Sequence, residues 1–395
     1  MTASFSSGED SAALVSHRAV VWSPDYLSYR WSADHPMNPT RLELTMSLAR
    51  SLGILEGVEL LRPAAASDAD LLRIHTPAYV EAVKQAGHSA TSGVLGADAP
   101  HGLGTEDNPV FPQMHEASAI LAGGSLAAAQ EIAAGRTRRA VSIGGGMHHA
   151  MPDWASGFCV YNDVAIAISW LLDHGFDRIA YIDVDAHHGD GVQHAFAHDP
   201  RVLTISLHQH PATLWPNTGW SSEVGEGSGE GTAVNLPVLP GTVDALWLRG
   251  FHAVVPGALA SFRPQIVISQ CGVDSHREDP LADLALTVDG QRAAFLAMRD
   301  LADRYAEDVG SPSAAAGTAS SGWSRARGPT SSPRRSTARS TRAVPYPRPG
   351  RNGRTRSHPA WTCRTRWATA ARSTTGPGTV PVAHPKPGSP RSTAP

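Results

Sequence analysis

The chain has 395 residues, with 33 basic and 36 acidic side chains and a formal net charge of −3. Residues 1–308 carry all 36 acidic residues and 18 of the basic ones, whereas residues 309–395 carry the other 15 basic residues and no acidic one. An acidic body of this length can bury one sizeable core, and its charge disfavours non-specific binding to nucleic acid or anionic membranes. The three cysteines are too few for a disulfide framework and no long apolar run occurs, so we expect a cytoplasmic protein without a membrane span.

The last 87 residues also lack Leu, Ile, Met and Phe, and they hold 13 of the 30 prolines. Such a segment cannot bury enough apolar surface to offset the conformational entropy of ordering it. We therefore predict a flexible N-terminus at 1–16, one domain at 17–308 and a disordered Arg/Pro/Ser/Thr-rich tail at 309–395.

Short β-branched runs alternate with helical stretches along the body. In chain order, the sequence predicts strands at 17–22, 58–61, 140–143, 178–182, 202–206 and 265–270, and helices at 39–55, 77–85, 115–134, 163–174, 191–197 and 243–259. The first of these helices has Asn38 as a candidate N-cap and Pro39 at its first position. This alternation predicts an α/β fold with a mainly parallel sheet covered by helices on both faces.

Polar residues follow four of these strands. They are His148 and His149 in GGGMHH, Asp183, Asp185, His187, His188 and Asp190 in DVDAHHGDG, Ser206 and His208 in SLH, and Asp274 in CGVD. In open α/β sheets, ligands bind outside the carboxyl ends of the strands. The four clusters are therefore expected to converge on one site.

Asp185 and His187 are two residues apart, so in an extended segment their side chains point the same way. With Asp274 from another strand end, they offer two carboxylates and one imidazole to a dication and leave a position open for water, as in catalytic zinc sites. A solvated acidic turn is the alternative for an isolated DxD. The apolar strand before this motif favours the metal site, and ferrous iron accepts the same ligands as zinc.

His148 and His149 are candidates for the base that activates a water and the acid that protonates a leaving amine. The spacing does not decide which histidine is the base. Asp183 and Asp190 are spare carboxylates that can orient the two rings. An accidental surface pair is the alternative, but the preceding glycines allow close approach of the backbone.

Two aromatic residues lie on predicted loops near the same edge. Phe158 follows Gly157, and Trp215 lies in LWP. We interpret them as flanking a narrow tube for an aliphatic chain, with Leu281 as a further wall residue. Either aromatic taken alone is explained equally well as part of the core.

These residues make the body similar to the zinc-dependent histone deacetylase family, and most similar to its bacterial branch, the acetoin utilization deacetylases. The matching stretches are HPMNPTRLELT at 35–45, IHTPAYVEAV at 74–83, EDNPVF at 106–111, GGGMHHA at 144–150, SGFCVYND at 156–163, YIDVDAHHGDGV at 181–192, TISLH at 204–208 and CGVDSHREDPL at 271–281. The resemblance implies the arginase/deacetylase fold, a three-layer α/β sandwich, and hydrolysis of acetyl-lysine linked to acetoin and acetate metabolism.

The resemblance also implies a role for each matching residue. On this resemblance, Asp185, His187 and Asp274 would bind zinc, and His148 and His149 would be the paired base and acid, supported by Asp183 and Asp190. A structural potassium ion would be bound by Asp183, Ser206 and the backbone carbonyls of Asp185, His187 and Leu207. Asp107 holds the substrate backbone, Gly157, Phe158, Trp215 and Leu281 line the acyl-lysine tunnel, and Arg41 lies on the acetate exit path.

Three alternatives to an acetyl-lysine hydrolase remain open. An acetylpolyamine amidohydrolase is the near one. A two-manganese, arginase-like enzyme of the same fold needs a carboxylate two residues after the ligand histidine, where this chain has Gly189. A non-catalytic acetyl-lysine reader is the third, because the family's run of glycines ending in a catalytic Tyr does not occur after LADRYA at 301–306.

The tail composition offers an explanation for the absent Tyr motif. The only lysines, Lys84 and Lys386, accompany 31 arginines, which indicates a GC-rich gene. Out-of-frame translation of GC-rich DNA yields Arg, Pro, Ser, Thr, Ala and Gly, as in the tail. The C-terminal part of the fold, including the strand before the Tyr motif, is then expected to be missing, which leaves the chain poorly soluble and nearly inactive. A genuine basic tail that binds an acidic partner is the alternative.

The frameshift hypothesis makes a direct prediction about the gene. One of the other two reading frames downstream of codon 306 should encode a run of glycines followed by Tyr, and sequencing the gene and translating both frames checks this. The hypothesis fails if neither frame contains such a segment.

Overall fold

The centre of the structure is a parallel β-sheet, seen in a computed structural model that describes residues 18–32, 35–88, 93, 95 and 99–306 and the backbone of 314–318. Its strands are β1 (Arg18–Val21), β2 (Glu59–Leu61), β3 (Arg139–Ser142), β4 (Ile179–Asp183), β5 (Val202–Gln209), β6 (Ala233–Val238), β7 (Ile266–Gln270) and β8 (Ala314–Thr318). The helices are α1 (Thr40–Ser51), α2 (Asp68–Leu71), α3 (Pro77–His88), α4 (Met114–Ala133), α5 (Asp163–Asp173), α6 (Asp190–Phe196), α7 (Asp244–Phe262) and α8 (Val288–Tyr305).

The strand order is β2-β1-β3-β8-β7-β4-β5-β6, and every neighbouring pair is parallel. The central strands β4, β5 and β7 are buried along their whole length. This explains their continuous apolar runs, because a parallel sheet between two helical layers exposes neither face. The predicted α/β fold with a mainly parallel sheet is confirmed.

Alternate residues of β4 enter two different cores. Ile179 and Tyr181 pack on one face with residues of α4, α5 and α6, whereas Ala180 and Ile182 pack on the other face with residues of α7 and α8. The two-residue period of a strand separates these sets. The sheet is therefore the middle of three layers. The carboxyl end of β4 lies between those of β7 and β5, well inside the sheet.

Up to residue 306, the short helix α2, the strand β6 and the helix α8 were not predicted from the sequence. The edge strand β6 contains Asn235 and Pro237, which are poor strand formers, and Pro in a sheet is confined to edges and ends. Helix α8 begins after Thr287, whose side chain accepts a hydrogen bond from the backbone of Gly290. Its buried residues Ala294, Met298 and Leu301 recur at helical spacing, so the signal for this helix was present in the sequence.

One further strand, β8, follows the predicted domain limit at residue 308. Residues 314–318 pair with β3 on one side and β7 on the other, in the middle of the sheet. The domain limits and the incomplete C-terminal part of the fold stay predictions. The sequence AAAGT gave no strand signal because Ala and Gly are depleted in strands. The rest of the predicted tail, at 309–313 and 319–395, lies outside the described residues, as does the predicted flexible N-terminus at 1–16.

None of the helices among the described residues is both long enough and apolar enough to cross a lipid bilayer.

His75 is a buried histidine that joins two segments near the site. Its Nδ1 donates to the carbonyl of Met151 at 3.1 Å, and its Nε2 accepts from the backbone N–H of Asn162 at 3.0 Å. This pattern requires the neutral ring, and burial lowers the pKa of His75 to about 4. The unfolded chain binds the proton near pH 6.5, so this histidine stabilises the fold fully above pH 6.5 and progressively less as the pH falls toward 4.

We expect the free energy of unfolding to fall as the pH is lowered from 6.5 to 4, with His75 contributing up to about 1.4 kcal/mol per pH unit. Urea unfolding between pH 7 and pH 4.5 measures this slope. His75→Gln should flatten it by about one proton, whereas His252→Gln, at an exposed position on α7, should leave it unchanged. Equal slopes for all three proteins would contradict the assignment.

Candidate active site

A cluster of two carboxylates and one imidazole lies at the carboxyl ends of β4 and β7. Asp185 and His187 follow β4, Asp274 follows β7, and ligand atoms of the three lie within 4.8 Å of one another. The two strands pair in register from Ile179↔Ile266 to Asp183↔Gln270, which brings the two loops together. The structure thus assembles the three side chains that the sequence predicted as a metal site.

The backbone and one amide side chain hold this cluster. The N–H of Ala186 donates to Asp274 Oδ1 at 2.7 Å, and the N–H of His187 donates to Asp185 Oδ1 at 2.9 Å. The side chain of Gln270 donates to Asp185 Oδ2 at 3.1 Å. Each carboxylate is therefore fixed in direction before any ligand arrives.

The chemistry of the donor set fits a dication. Asp185 and Asp274 are both buried, and burial together with the Asp185 carboxylate raises the pKa of Asp274 to about 8. His187 Nδ1 lies 2.7 Å from Asp274 Oδ2 and 3.2 Å from Asp185 Oδ1. The two buried carboxylates, whose ligand atoms lie within 4.8 Å of each other, repel one another, and a bound cation removes the repulsion.

Gly189 distinguishes this site from the two-metal site of an arginase-like enzyme. A Cβ at this position would lie 2.2 Å from Asp183 Oδ2 and 3.2 Å from His148 Nδ1. No side chain fits there without moving the buried strand end. The second carboxylate of an arginase-like site is therefore absent from the sequence and has no space in the structure.

The two histidines of GGGMHH lie beside the cluster. Their ring centroids are 3.9 Å apart, and both rings are buried. His148 Nδ1 donates to Asp183 Oδ2 at 2.7 Å, and His149 Nδ1 donates to Asp190 Oδ1 at 2.7 Å. In each ring Nε2 then points away from the carboxylate, and His148 Nε2 lies 3.9 Å from Asp185 Oδ2.

The two rings differ in charge environment. Burial disfavours the charged form of His148, but the carboxylates of Asp183 and Asp185 outweigh burial and raise its pKa to about 9. Burial, together with the rings of His148 and His187, lowers the pKa of His149 well below its usual value. Burial also raises the pKa of Asp190 to about 6. The pKa of His148 is therefore raised and that of His149 is lowered, although the two rings are adjacent.

Gly157 brings an aromatic wall against the histidines. It has φ +51°, and a Cβ would lie 2.5 Å from Trp215 Cη2 and 2.6 Å from His149 Cδ2. The Trp215 ring lies edge-on to His149 with centroids 4.6 Å apart. Only glycine allows this approach, so the glycine before Phe158 is part of the site geometry.

Phe158 has the left-handed backbone angle φ +68°, which is rare for a large side chain. The hydroxyl of Tyr29 donates to its carbonyl at 2.9 Å and holds this conformation. The Phe158 ring packs edge-on to His35, at a centroid distance of 4.7 Å. The turn at 157–158 therefore places Phe158 beside His35, directly after the glycine that contacts Trp215.

Two further predicted substrate residues lie on loops. The carbonyl of Asp107 accepts from His35 Nε2 at 3.2 Å, and its half-buried carboxyl has a pKa raised by burial and by Glu106. The N–H of Leu281 donates to Asp279 Oδ1 at 2.8 Å, and the Leu281 side chain is 39% exposed. His35 thus connects Asp107 to Phe158, whereas Leu281 lies in the segment that follows Asp274.

The predicted potassium ligands lie behind the cluster. Asp183 pairs with Ser206 across β4 and β5, and its Oδ1 accepts the N–H of Asp185 at 3.1 Å. The Ser206 hydroxyl lies 2.8 Å from His208 Nδ1, and Leu207 is buried in β5.

Arg41, on α1, is buried, and burial lowers its pKa to about 10. Its Nε and Nη1 have no hydrogen-bond partner in the described structure. A buried guanidinium with unpaired N–H groups is a site for an anion.

Sequence reasoning missed several residues that organise the site. They are Gln270, which holds Asp185; Glu223, which accepts from the N–H groups of Gly219 and Trp220 in the loop after Trp215; and Asn162 and Asp163, which contact the histidine segment. Each is an ordinary polar residue, and the partners of Gln270, Asn162 and Asp163 are at least 12 residues away in sequence. For Asn162 and Asp163 the signal was their place in SGFCVYND, directly before an apolar helix.

Comparison with known proteins gives this site a family. The model of the histone deacetylase domain matches residues 35–311. The chain therefore belongs to the histone deacetylase family, as its motifs predict.

Among its relatives are proteins named acetoin utilization protein AcuC. That of Bacillus subtilis is 41% identical over 270 residues, covering 68% of this chain and 69% of the relative. That of Staphylococcus aureus is 40% identical over 292 residues, covering 73% and 74%. The crystal structure of an HDAC homolog from Aquifex aeolicus superposes with a TM-score of 0.68 at 31% identity, covering 76% of this chain and 79% of that one.

The metal cluster can be tested directly. We expect the protein to bind one tightly held dication per chain and Asp274→Asn to abolish this, because one buried anionic ligand is lost. Elemental analysis after dialysis measures the content, and Asp279→Asn, a nearby carboxyl outside the cluster, is the control that should retain the metal. Two tightly held manganese ions, or full retention by Asp274→Asn, would refute the one-metal site.

Proposed function

We propose that this protein hydrolyses the acetyl amide of acetyl-lysine side chains in cytoplasmic proteins, with zinc held by Asp185, His187 and Asp274. One observation carries the proposal: two histidines, each anchored by its own carboxylate, lie beside a three-ligand metal cluster. Amide hydrolysis needs an electrophile for the carbonyl, a base for water and an acid for the amine. The site offers a residue or ligand set for each of these.

The cluster leaves room in the metal coordination sphere for substrate or water, because it supplies three protein ligands. Zinc held there by Asp185, His187 and Asp274 would polarise the amide carbonyl and lower the pKa of a bound water. Ferrous iron fits the same ligands. The proposed potassium ion would be held near Asp183, Ser206 and the carbonyl of Leu207, where it would offset the negative charge behind the cluster.

The histidine pair moves the protons. One ring takes a proton from the attacking water as the oxygen bonds to the carbonyl carbon. The other ring gives a proton to the lysine nitrogen as the C–N bond breaks, which yields acetate and a free amine. Asp183 and Asp190 fix the tautomers, so that Nε2 of each ring is available for these transfers.

The walls suit an acyl-lysine chain. Gly157, the residue before Phe158, contacts Trp215. His35 bonds the carbonyl of Asp107 and packs against the Phe158 ring. Arg41, with its unpaired buried N–H groups, fits a path by which acetate leaves. The names of the AcuC relatives connect the activity to acetoin utilization.

Two other functions remain as alternatives. An acetylpolyamine amidohydrolase would use the same site on a different amine. A non-catalytic acetyl-lysine reader is favoured by one observation, the absence of a glycine run ending in Tyr after residue 306. In the family this Tyr donates a hydrogen bond to the oxyanion formed on the substrate carbonyl. Because one oxyanion donor contributes about 10²–10³ in turnover, we expect this chain to be a slow enzyme.

The proposal predicts zinc-dependent release of acetate from an acetylated peptide. His148→Ala and His149→Ala should each lower kcat by about 10²–10⁴, because each removes one proton-transfer group. Acetate release is measured with the zinc-loaded full chain, and His210→Ala, a histidine outside the pair, is the matched control. Faster turnover of an acetylpolyamine would favour the first alternative, and peptide binding without turnover would favour the reader.

A further inference from the structure

Both histidines of the pair lie on one short segment, Gly146–Ala150, that follows β3. Hydrogen bonds to the carboxylates of Asp183 and Asp190 orient the two rings. These bonds involve only side chains, so other contacts must fix the backbone of the segment. The backbone is held by two consecutive residues at the start of α5, Asn162 and Asp163. Neither is a member of the metal cluster.

Asp163 holds the front of the segment. Its carboxylate accepts the N–H of Gly146 at 3.1 and 3.0 Å and the N–H of Met147 at 2.7 Å. It also accepts the hydroxyl of Ser125 from α4. The carboxylate is fully buried, so these donors supply the solvation that water would otherwise give.

Asn162 holds the back of the segment. Its Nδ2 donates to the carbonyl of Ala150 at 3.1 Å and to that of His148 at 3.5 Å, while its Oδ1 accepts the N–H of Ala165 as the cap of α5. Its own N–H donates to His75. One side chain therefore caps a helix and holds the backbone on either side of His149.

The segment has no room to move toward α6. A Cβ at Gly191 would lie 2.6 Å from the carbonyls of both His148 and Ala150, and the N–H of Val192 donates to the His148 carbonyl at 3.2 Å. With Asn162 and Asp163 holding both ends, one backbone position is compatible with all these contacts. A displacement of about 1 Å at reacting groups can cost about 10²-fold in rate.

We propose that Asn162 and Asp163 are positioning residues that set the location of the His148–His149 pair relative to the metal cluster. This rests on the proposed function, in which the pair transfers protons. The competing view is that the two residues only stabilise the start of α5. The two views differ in whether the imidazoles move when the residues change.

The test uses the full-length chain labelled with ¹⁵N-histidine. The imidazole N–H protons bonded to Asp183 and Asp190 should resonate downfield of the amide region, and Asp190→Asn assigns the His149 signal. Asp163→Asn, which sets an amide against two N–H donors, should shift or broaden both signals. In the zinc-loaded enzyme it should lower kcat about 10²-fold with KM nearly unchanged. Asp173→Asn, at the exposed end of the same helix, should change neither.

Asn162→Ser is the milder variant, and it decides the question if Asp163→Asn does not fold. Serine can cap α5 but cannot donate to the Ala150 and His148 carbonyls. Shifted imidazole signals support the positioning role, even if the wild-type chain shows no turnover, in which case the proposed function fails alone. Unshifted signals in a folded variant whose thermal midpoint has dropped would leave only the helix-start role and overturn the inference.

Discussion

The structure depends on the burial of negative charge at the centre of one sheet edge. Asp163, Asp183, Asp185, Asp190 and Asp274 are all buried. Buried carboxylates are tolerated only when hydrogen bonds or cations replace their hydration. Here backbone N–H groups satisfy Asp163, imidazoles satisfy Asp183 and Asp190, and a metal would satisfy Asp185 and Asp274. The glycines at 189, 191 and 272 remove the side chains that would otherwise separate these partners.

Much of this arrangement could be predicted from the sequence, because it follows from strand ends. A buried parallel strand is recognisable by its apolar run, and the rule that ligands bind at carboxyl ends places the next residues together. Asp185, His187 and Asp274 were predicted in this way, although 87 residues separate His187 from Asp274. What could not be predicted were contacts that depend on the path of loops, such as Gln270 with Asp185 and Asn162 with Ala150, since neither residue type nor spacing specifies them.

In the C-terminal region, sequence composition predicted less of the structure. Composition separates an acidic body from a basic, proline-rich stretch, and the family match ends at residue 311, close to that break. Yet composition did not foresee β8, because five small residues have little preference for a strand. The gap between β3 and β7 supplies hydrogen-bonding partners on both sides, so position in the sheet outweighs local preference. The frameshift hypothesis and a strand at 314–318 are compatible, because the strand pairs through backbone groups that every residue except proline supplies.

The contact of Gly157 with Trp215 and His149 has a consequence for redesign. Longer or bulkier acyl groups need extra volume beside the reacting carbonyl. That volume cannot come from the turn at 157–158, whose backbone is already in van der Waals contact with both rings and whose left-handed angles restrict its sequence. In the proposed tunnel, that volume would have to come from Trp215, the other partner in the contact with Gly157. The acyl range of this scaffold would then be set by the side chain at position 215.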